Sequence, residues 1–336
     1  MRPHFYRAPW WLPGGHAQTI YASLAAPRPS VEYRRERWDT PDGDFVDVDW
    51  VDERSAVGHR RSASSASEQA PLVVLFHGLE GSSRSHYALA LMVAVREAGW
   101  RGVVVHFRGC SGELNRLPRA YHSGDSAEID WVLRRLRTRN TRLFAVGVSL
   151  GGNALLKWLG ESGASAREVI SRAAAISAPV DLMAAGNALD RGFNLFYVRH
   201  FLLTMKTKSL AKLARYPGLF DAARVRAART LREFDDLVTA PLHGYRNTDD
   251  YWTRASSKPW LRSIEAPALM VNARNDPFLP AGALPRAGDV SDTVALDQPQ
   301  DGGHVGFVSG RFPGHLGWMP ARVLEFLGDA HLFPAS

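Results

Sequence analysis

Five short, nearly unbroken apolar runs punctuate the chain: PLVVLFHG (71–78), GVVVHFRG (102–109), LFAVGVS (143–149), AAAISAP (173–179) and ALMVNARND (268–276). They do not alternate with polar residues, so strands made from them are buried on both faces. Helix-length amphipathic segments lie between or after the first of them, at 84–98, 124–138 and 150–162. Strand and helix alternating at this spacing predicts right-handed βαβ units and a doubly wound, mostly parallel α/β sheet. One more strand is expected over TVALDQP (293–299). Upstream, YRRERWDTPDGDFVDVDWVD (33–52) reads as a β-ribbon turning at Asp42-Gly43, followed by a polar surface loop over 54–70. The alternation breaks after Pro179: residues 180–262 are helical in character, and ALMVNA then resumes the sheet. Ligands of open α/β sheets bind at the carboxyl ends of the strands, so this stretch is predicted to be a helical lid over a site. The whole chain, 1–336, is expected to form one domain around it. Within the lid, Leu195, Val198, Leu202 and Met205 recur at roughly helical intervals and predict one apolar face.

Composition narrows the function. With 45% hydrophobic and 22% charged residues the chain has ample material for a core. The net charge of +7 raises the question of nucleic acid. Only five of the 41 basic residues are Lys, Arg is spread along the whole chain, and no nucleic-acid motif occurs, so no such partner is expected. The exception is local. From 199 to 232 there are nine Lys or Arg against one acid, Asp221. That excess suggests a solvated lid that also makes weak contact with anionic membranes, through Lys206, Lys208 and Lys212 among others. A single cysteine, Cys110, excludes an internal disulfide and fits a reducing compartment. No apolar run approaches the roughly 18 residues of a membrane span, and the first residues form no continuous signal-type core, so a cytoplasmic location is expected. His4, His200 and His331 lack ligand spacing, and no metal or other cofactor is expected.

The chemistry concentrates at GVSLG (147–151), between an apolar run and a helical one. This is the G-x-S-x-G pattern of a nucleophile elbow, in which a tight strand-to-helix turn exposes a serine hydroxyl at a helix N-terminus. Ser149 is the expected nucleophile. A serine hydroxyl needs a base to take its proton and an acid to orient that base, and in this pattern they follow in the order Ser, Asp or Glu, His. Asp276 stands at the end of a predicted strand and His304 in the glycine-flanked loop DGGHVGF; Asp181 is the rival acid, and Asp297 and Asp301 lie near the last strand. An oxyanion needs two N–H donors. Leu150, next to the nucleophile, and Leu79, in HGLEGS (77–82), are the expected pair. His77 is expected to shape that turn, and Cys110 to be structural or to line the pocket.

With these residues in hand, the chain resembles the YheT-like branch of the α/β-hydrolase fold superfamily. The resemblance rests on GGHAQTI (14–20), FHGLEGSSRSHY (76–87), FRGCSGELNRLPRAYHSGD (107–125), GVSLGGNALLKWLGE (147–161), NARNDPF (272–278) and GGHVGF (302–307). It implies a triad at Ser149, Asp276 and His304, ester chemistry on medium acyl chains of a small or lipid-like substrate, and no cofactor or metal. Three functions follow as expectations. The first is a carboxylic ester hydrolase, the second an alcohol O-acyltransferase sharing the same acyl-enzyme, and the third a non-catalytic binding protein on the same fold. Oligomeric state is not readable from the pattern.

Overall fold

The computed structural model describes residues 5–51 and 70–329. Most of the 54–70 segment, together with His4 and His331, lies outside the described residues. The apolar runs form the parallel strands β3 (Leu72–Phe76), β4 (Arg101–His106), β5 (Leu143–Val148), β6 (Arg172–Ile176), β7 (Ala268–Val271) and β8 (Val294–Asp297). Each strand ends before its run does, because the chain turns off at the carboxyl ends. The ribbon forms β1 (Tyr33–Asp39) and β2 (Phe45–Val51), and it is not separate from the sheet. β2 pairs antiparallel with β4, giving one eight-stranded sheet in the order β1-β2-β4-β3-β5-β6-β7-β8.

The unbroken apolar character of the strands has a simple cause: both faces are covered. Along β3, Leu72, Val74 and Phe76 pack into one cluster and Val73 and Leu75 into the other. Helix α1 (Gly15–Leu24) lies near the N-terminus, and α2 (His86–Glu97) packs Leu91, Met92 and Val95 on the second cluster. Helices α3 (Ser126–Arg137) and α4 (Leu150–Ser162) cover the first. In α3, Ile129, Val132, Leu133 and Leu136 are buried at helical spacing, and the Asp125 carboxylate accepts the Glu128 N–H at its start. Each such Leu, Ile or Val contributes about 1.5–3 kcal/mol by leaving water.

Between β6 and β7 the chain is helical from Leu182 to Ser263. This segment includes α5 (Leu182–Leu189), the long α6 (Leu195–Arg215), α7 (Ala222–Ala227) and α8 (Thr248–Ala255). It has its own core, in which Val198 and Leu202 of α6 meet Val225, Leu231, Phe234 and Trp252. The opposite side of α6 exposes Phe196 and Leu203. The three lysines read as surface cations are not free. Lys206 donates to the Arg226 and Ala228 carbonyls, and Lys208 pairs with Glu80. Lys212, only 4% exposed, donates to the carbonyls of Leu117, Pro118 and Arg119. Among the described residues, no helix is long and apolar enough to cross a membrane. A last helix, α9 (Trp318–Gly328), closes the second face of the sheet.

Candidate active site

Ser149 is the first residue beyond β5, held at φ 53°, ψ −118° at the N-terminus of α4, with its N–H donated to the Ile176 carbonyl at 2.8 Å. The glycines on either side are needed because strand and helix approach too closely for side chains. A Cβ on Gly147 would stand 2.5 Å from the Gly151 carbonyl oxygen, and one on Gly151 would stand 2.4 Å from the Phe76 oxygen.

The Ser149 hydroxyl lies 2.9 Å from His304 Nε2 and donates to it. His304 Nδ1 lies 2.9 Å from Asp276 Oδ2. A carboxylate can only accept there, so the Nδ1–H donates and Nε2 is left to accept from the serine. The second Asp276 oxygen accepts the Phe278 N–H at 2.8 Å, and the Phe278 ring stacks on the imidazole with centroids 4.0 Å apart. Asp181 is elsewhere: it accepts the Ala184 N–H at the start of α5 and pairs with Lys258. Asp297 pairs with Arg322, and Asp301 accepts from Asn275.

The two candidate oxyanion donors flank this serine. Within HGLEGS the Gly78 N–H is donated to the Tyr87 hydroxyl and the Glu80 N–H to the Tyr121 hydroxyl, whereas the Leu79 N–H has no acceptor among the described residues. The Leu150 N–H, first in α4, is equally uncommitted there. Buried His77 donates from Nδ1 to the Gly78 carbonyl and accepts the Phe107 N–H at Nε2; burial pushes it down to about 3, so it is a neutral strut of the turn. Cys110 packs against the main core, its thiol pushed up to about 12 by burial, which leaves it a poor nucleophile.

The pattern of the chain did not reveal what holds the His304 loop. Gln18 and Thr19 of α1 do so from nearly three hundred residues away. The Gln18 side-chain oxygen accepts the Gly302 N–H at 2.8 Å, and Thr19 Oγ1 accepts the His304 N–H at 2.8 Å. Asn275 accepts the Gly303 N–H, and Ser177 accepts the Val305 N–H. The signal in the sequence was the pair of polar residues inside GGHAQTI, which end up buried.

Two chambers meet at the serine. Ser149, Leu79, Glu80, Phe201, Phe278 and His304 line both. The first, of about 160 Å³, runs under the helical segment between Leu150 below and Leu182, Leu189, Met205, Phe234 and Trp252 above. The second, of about 390 Å³, opens between α1, the 78–87 loop and α6. Among the described residues, no three or more His, Cys, Asp or Glu side chains converge as a metal site.

Residues 71–310 match the alpha/beta hydrolase fold family. The Escherichia coli protein named "Putative esterase YheT" is 37% identical over 93% of this chain and 89% of its own length. Mouse phospholipase ABHD3 is 30% identical over 94% of this chain and 76% of its own. Among solved structures, the Pyrococcus furiosus esterase Pf2001 superposes with a TM-score of 0.54 at 17% identity, over 91% of this chain and 97% of that one, a likeness of fold. By sequence and by architecture, this chain belongs to the alpha/beta hydrolase fold family, in its YheT-like branch.

Proposed function

We propose that the chain is a carboxylic ester hydrolase of the serine type acting on short to medium acyl chains. The observation that carries this is the unbroken relay from Ser149 through His304 to Asp276. In the reaction, His304 Nε2 takes the Ser149 proton as Oγ attacks the ester carbonyl. The oxyanion is held by the Leu79 and Leu150 N–H groups, which have no other acceptor among the described residues. His304 then returns the proton to the departing alkoxide. Water, deprotonated by the same imidazole, attacks the acyl-serine and restores the hydroxyl. Asp276 keeps the imidazole in the required tautomer and stabilises it when charged. The relatives named esterase and phospholipase agree with ester chemistry.

The helical segment serves as the lid, since its own core roofs the first chamber with apolar side chains suited to an acyl chain. Its outer face, with exposed Phe193, Phe196 and Leu203 beside Arg199, is the part suited to weak contact with an anionic lipid surface. An acyltransferase reading draws on the second chamber, which offers room for an acceptor alcohol next to the same serine. Labelling of the intact protein by a fluorophosphonate, lost in Ser149→Ala, tests the hydrolase reading; labelling that persists in that variant overturns it. Ethyl ester formed from added ethanol at the expense of free acid would favour transfer.

A further inference from the structure

Glu80 follows Leu79, one of the two oxyanion donors, and it holds φ 54°. Glycine adopts that left-handed conformation without strain, whereas a glutamate keeps it only where its surroundings enforce it. The strain is tolerated for the side chain. This loop presses on the nucleophile, since a Cβ on Gly78 would stand 3.1 Å from that of Ser149. The Glu80 side chain lines both chambers at their junction and is only 9% exposed. Two residues hold it. The Tyr121 hydroxyl accepts the Glu80 N–H and donates to Oε1, each at 2.8 Å, and the Tyr121 ring is stacked on Phe107. Lys208 of α6 reaches the same carboxylate, with Nζ 2.9 Å from Oε1 and 2.8 Å from Oε2. Of the two, the lysine carries the charge and belongs to the helical segment over the site.

A bare carboxylate in this place would oppose the reaction. Attack on the ester puts negative charge on the oxygen that Leu79 holds, and a poorly solvated anion on the next residue raises the energy of that charge. With an ammonium on it, the carboxylate still anchors the loop and its field is cancelled. Resting on the hydrolase reading above, its oxyanion donors and lid included, we infer that Lys208 is a positioning residue for the chemical step. Docked on Glu80, it fixes the oxyanion loop and neutralises the carboxylate, so the oxyanion hole is complete only while the lid helix lies closed. Neither side chain touches the reacting atoms, and no bond to either forms or breaks; both act through Leu79. An ester bound under a lifted lid meets an unpaired carboxylate beside the hole and reacts slowly. Turnover is thereby tied to closure of α6 over the substrate.

The experiment measures kcat and KM on a medium-chain p-nitrophenyl ester, together with inhibition by a trifluoromethyl ketone of the same chain, whose adduct places an oxyanion in the hole. Lys208→Met should lower kcat by roughly tenfold with KM little changed, and should weaken the ketone by the same factor. Adding Glu80→Gln should return most of the lost kcat, because the charge is gone while the amide oxygen still accepts from Tyr121. Lys208→Arg should stay close to wild type. Lys206→Gln removes the same charge from the same helix, away from the loop, and should leave kcat and ketone affinity unchanged. Wild-type kcat and ketone affinity in Lys208→Met overturn the inference while leaving the hydrolase reading standing. So does a double variant as impaired as Lys208→Met, since the contact would then be structural only, and so does an equal loss in Lys206→Gln. Absence of fluorophosphonate labelling in the wild-type chain would instead overturn the hydrolase reading, and this inference with it.

Discussion

Ser149 occupies a left-handed backbone conformation that costs a non-glycine residue on the order of 1–3 kcal/mol. The surrounding structure enforces it, through the close glycine contacts and the Ser149 N–H to Ile176 bond. In return the hydroxyl points at His304. If Ser149, His304 and Asp276 work as a unit, Ser149→Ala and His304→Ala should each lower kcat by about 10⁴-fold or more, and the double variant should be little worse. Additive losses in steady-state ester assays would break the assignment. Asp276→Asn should be severe, because an amide can present its N–H to Nδ1 and stabilise the wrong tautomer. Asp181→Asn should leave turnover near normal, since Asp181 caps α5 and pairs with Lys258 away from the imidazole. A second prediction concerns Asp235, buried beside the first chamber and accepting the Trp252 indole N–H at 2.8 Å. Burial raises its carboxyl from 3.8 to about 7. The folded state therefore holds a proton that the unfolded state releases, and the associated stability is complete below pH 3.8 and lost as pH rises through about 7. Asp235→Asn should remove that slope from the melting-temperature profile and raise stability at pH 8 by about 1 kcal/mol or more. An unchanged profile would show the carboxyl to titrate normally.

At the level of the elements, α6 shows where charge counting misleads. Its basic residues suggested a surface facing anionic lipid, yet Lys206, Lys208 and Lys212 turn inward to carbonyls and to Glu80. A long flexible side chain can lay its stem along apolar surface and place its ammonium on whatever acceptors fold beneath it. Burial also pushes Lys212 down to about 8, so it is the least suited of the three to serve as an external charge. Lys212→Gln should therefore cost about 1–3 kcal/mol in a thermal or denaturant melt, by stranding three carbonyls of the 117–119 loop. Anionic-vesicle co-sedimentation should hardly respond to replacing the three lysines and should weaken on Phe196→Ser with Leu203→Ser. A loss of binding in the lysine variants alone would return the contact to the lysines. The apolar periodicity of the same helix was the sounder guide, since Val198 and Leu202 are buried as their spacing requires.

Across the whole molecule, the loop that carries His304 depends on the far end of the chain. Gln18, fully buried in α1, accepts from Gly302 and from Asn275, and so fixes the loop that carries His304. Gln18→Leu should lower kcat by roughly 10–100-fold with a modest change in KM, because small displacements of a catalytic group are costly. Far-ultraviolet circular dichroism should show the fold kept; wild-type kcat in that variant would make the tether irrelevant. By itself the sequence determined the parallel strands, the helices between them and the helical stretch from 180 to 262, and it singled out Ser149, Asp276 and His304 as candidates. These are local matters of apolar runs, helical periodicity, a glycine-bracketed turn and the order of three residues. Tertiary structure alone decided that the β-ribbon extends the sheet beside β4, since edge pairing leaves no mark on the spacing of either strand. It alone decided that Gln18 and Thr19 hold a loop nearly three hundred residues away. Hydrogen bonds and charges act through distance in space, and only the folded chain sets those distances.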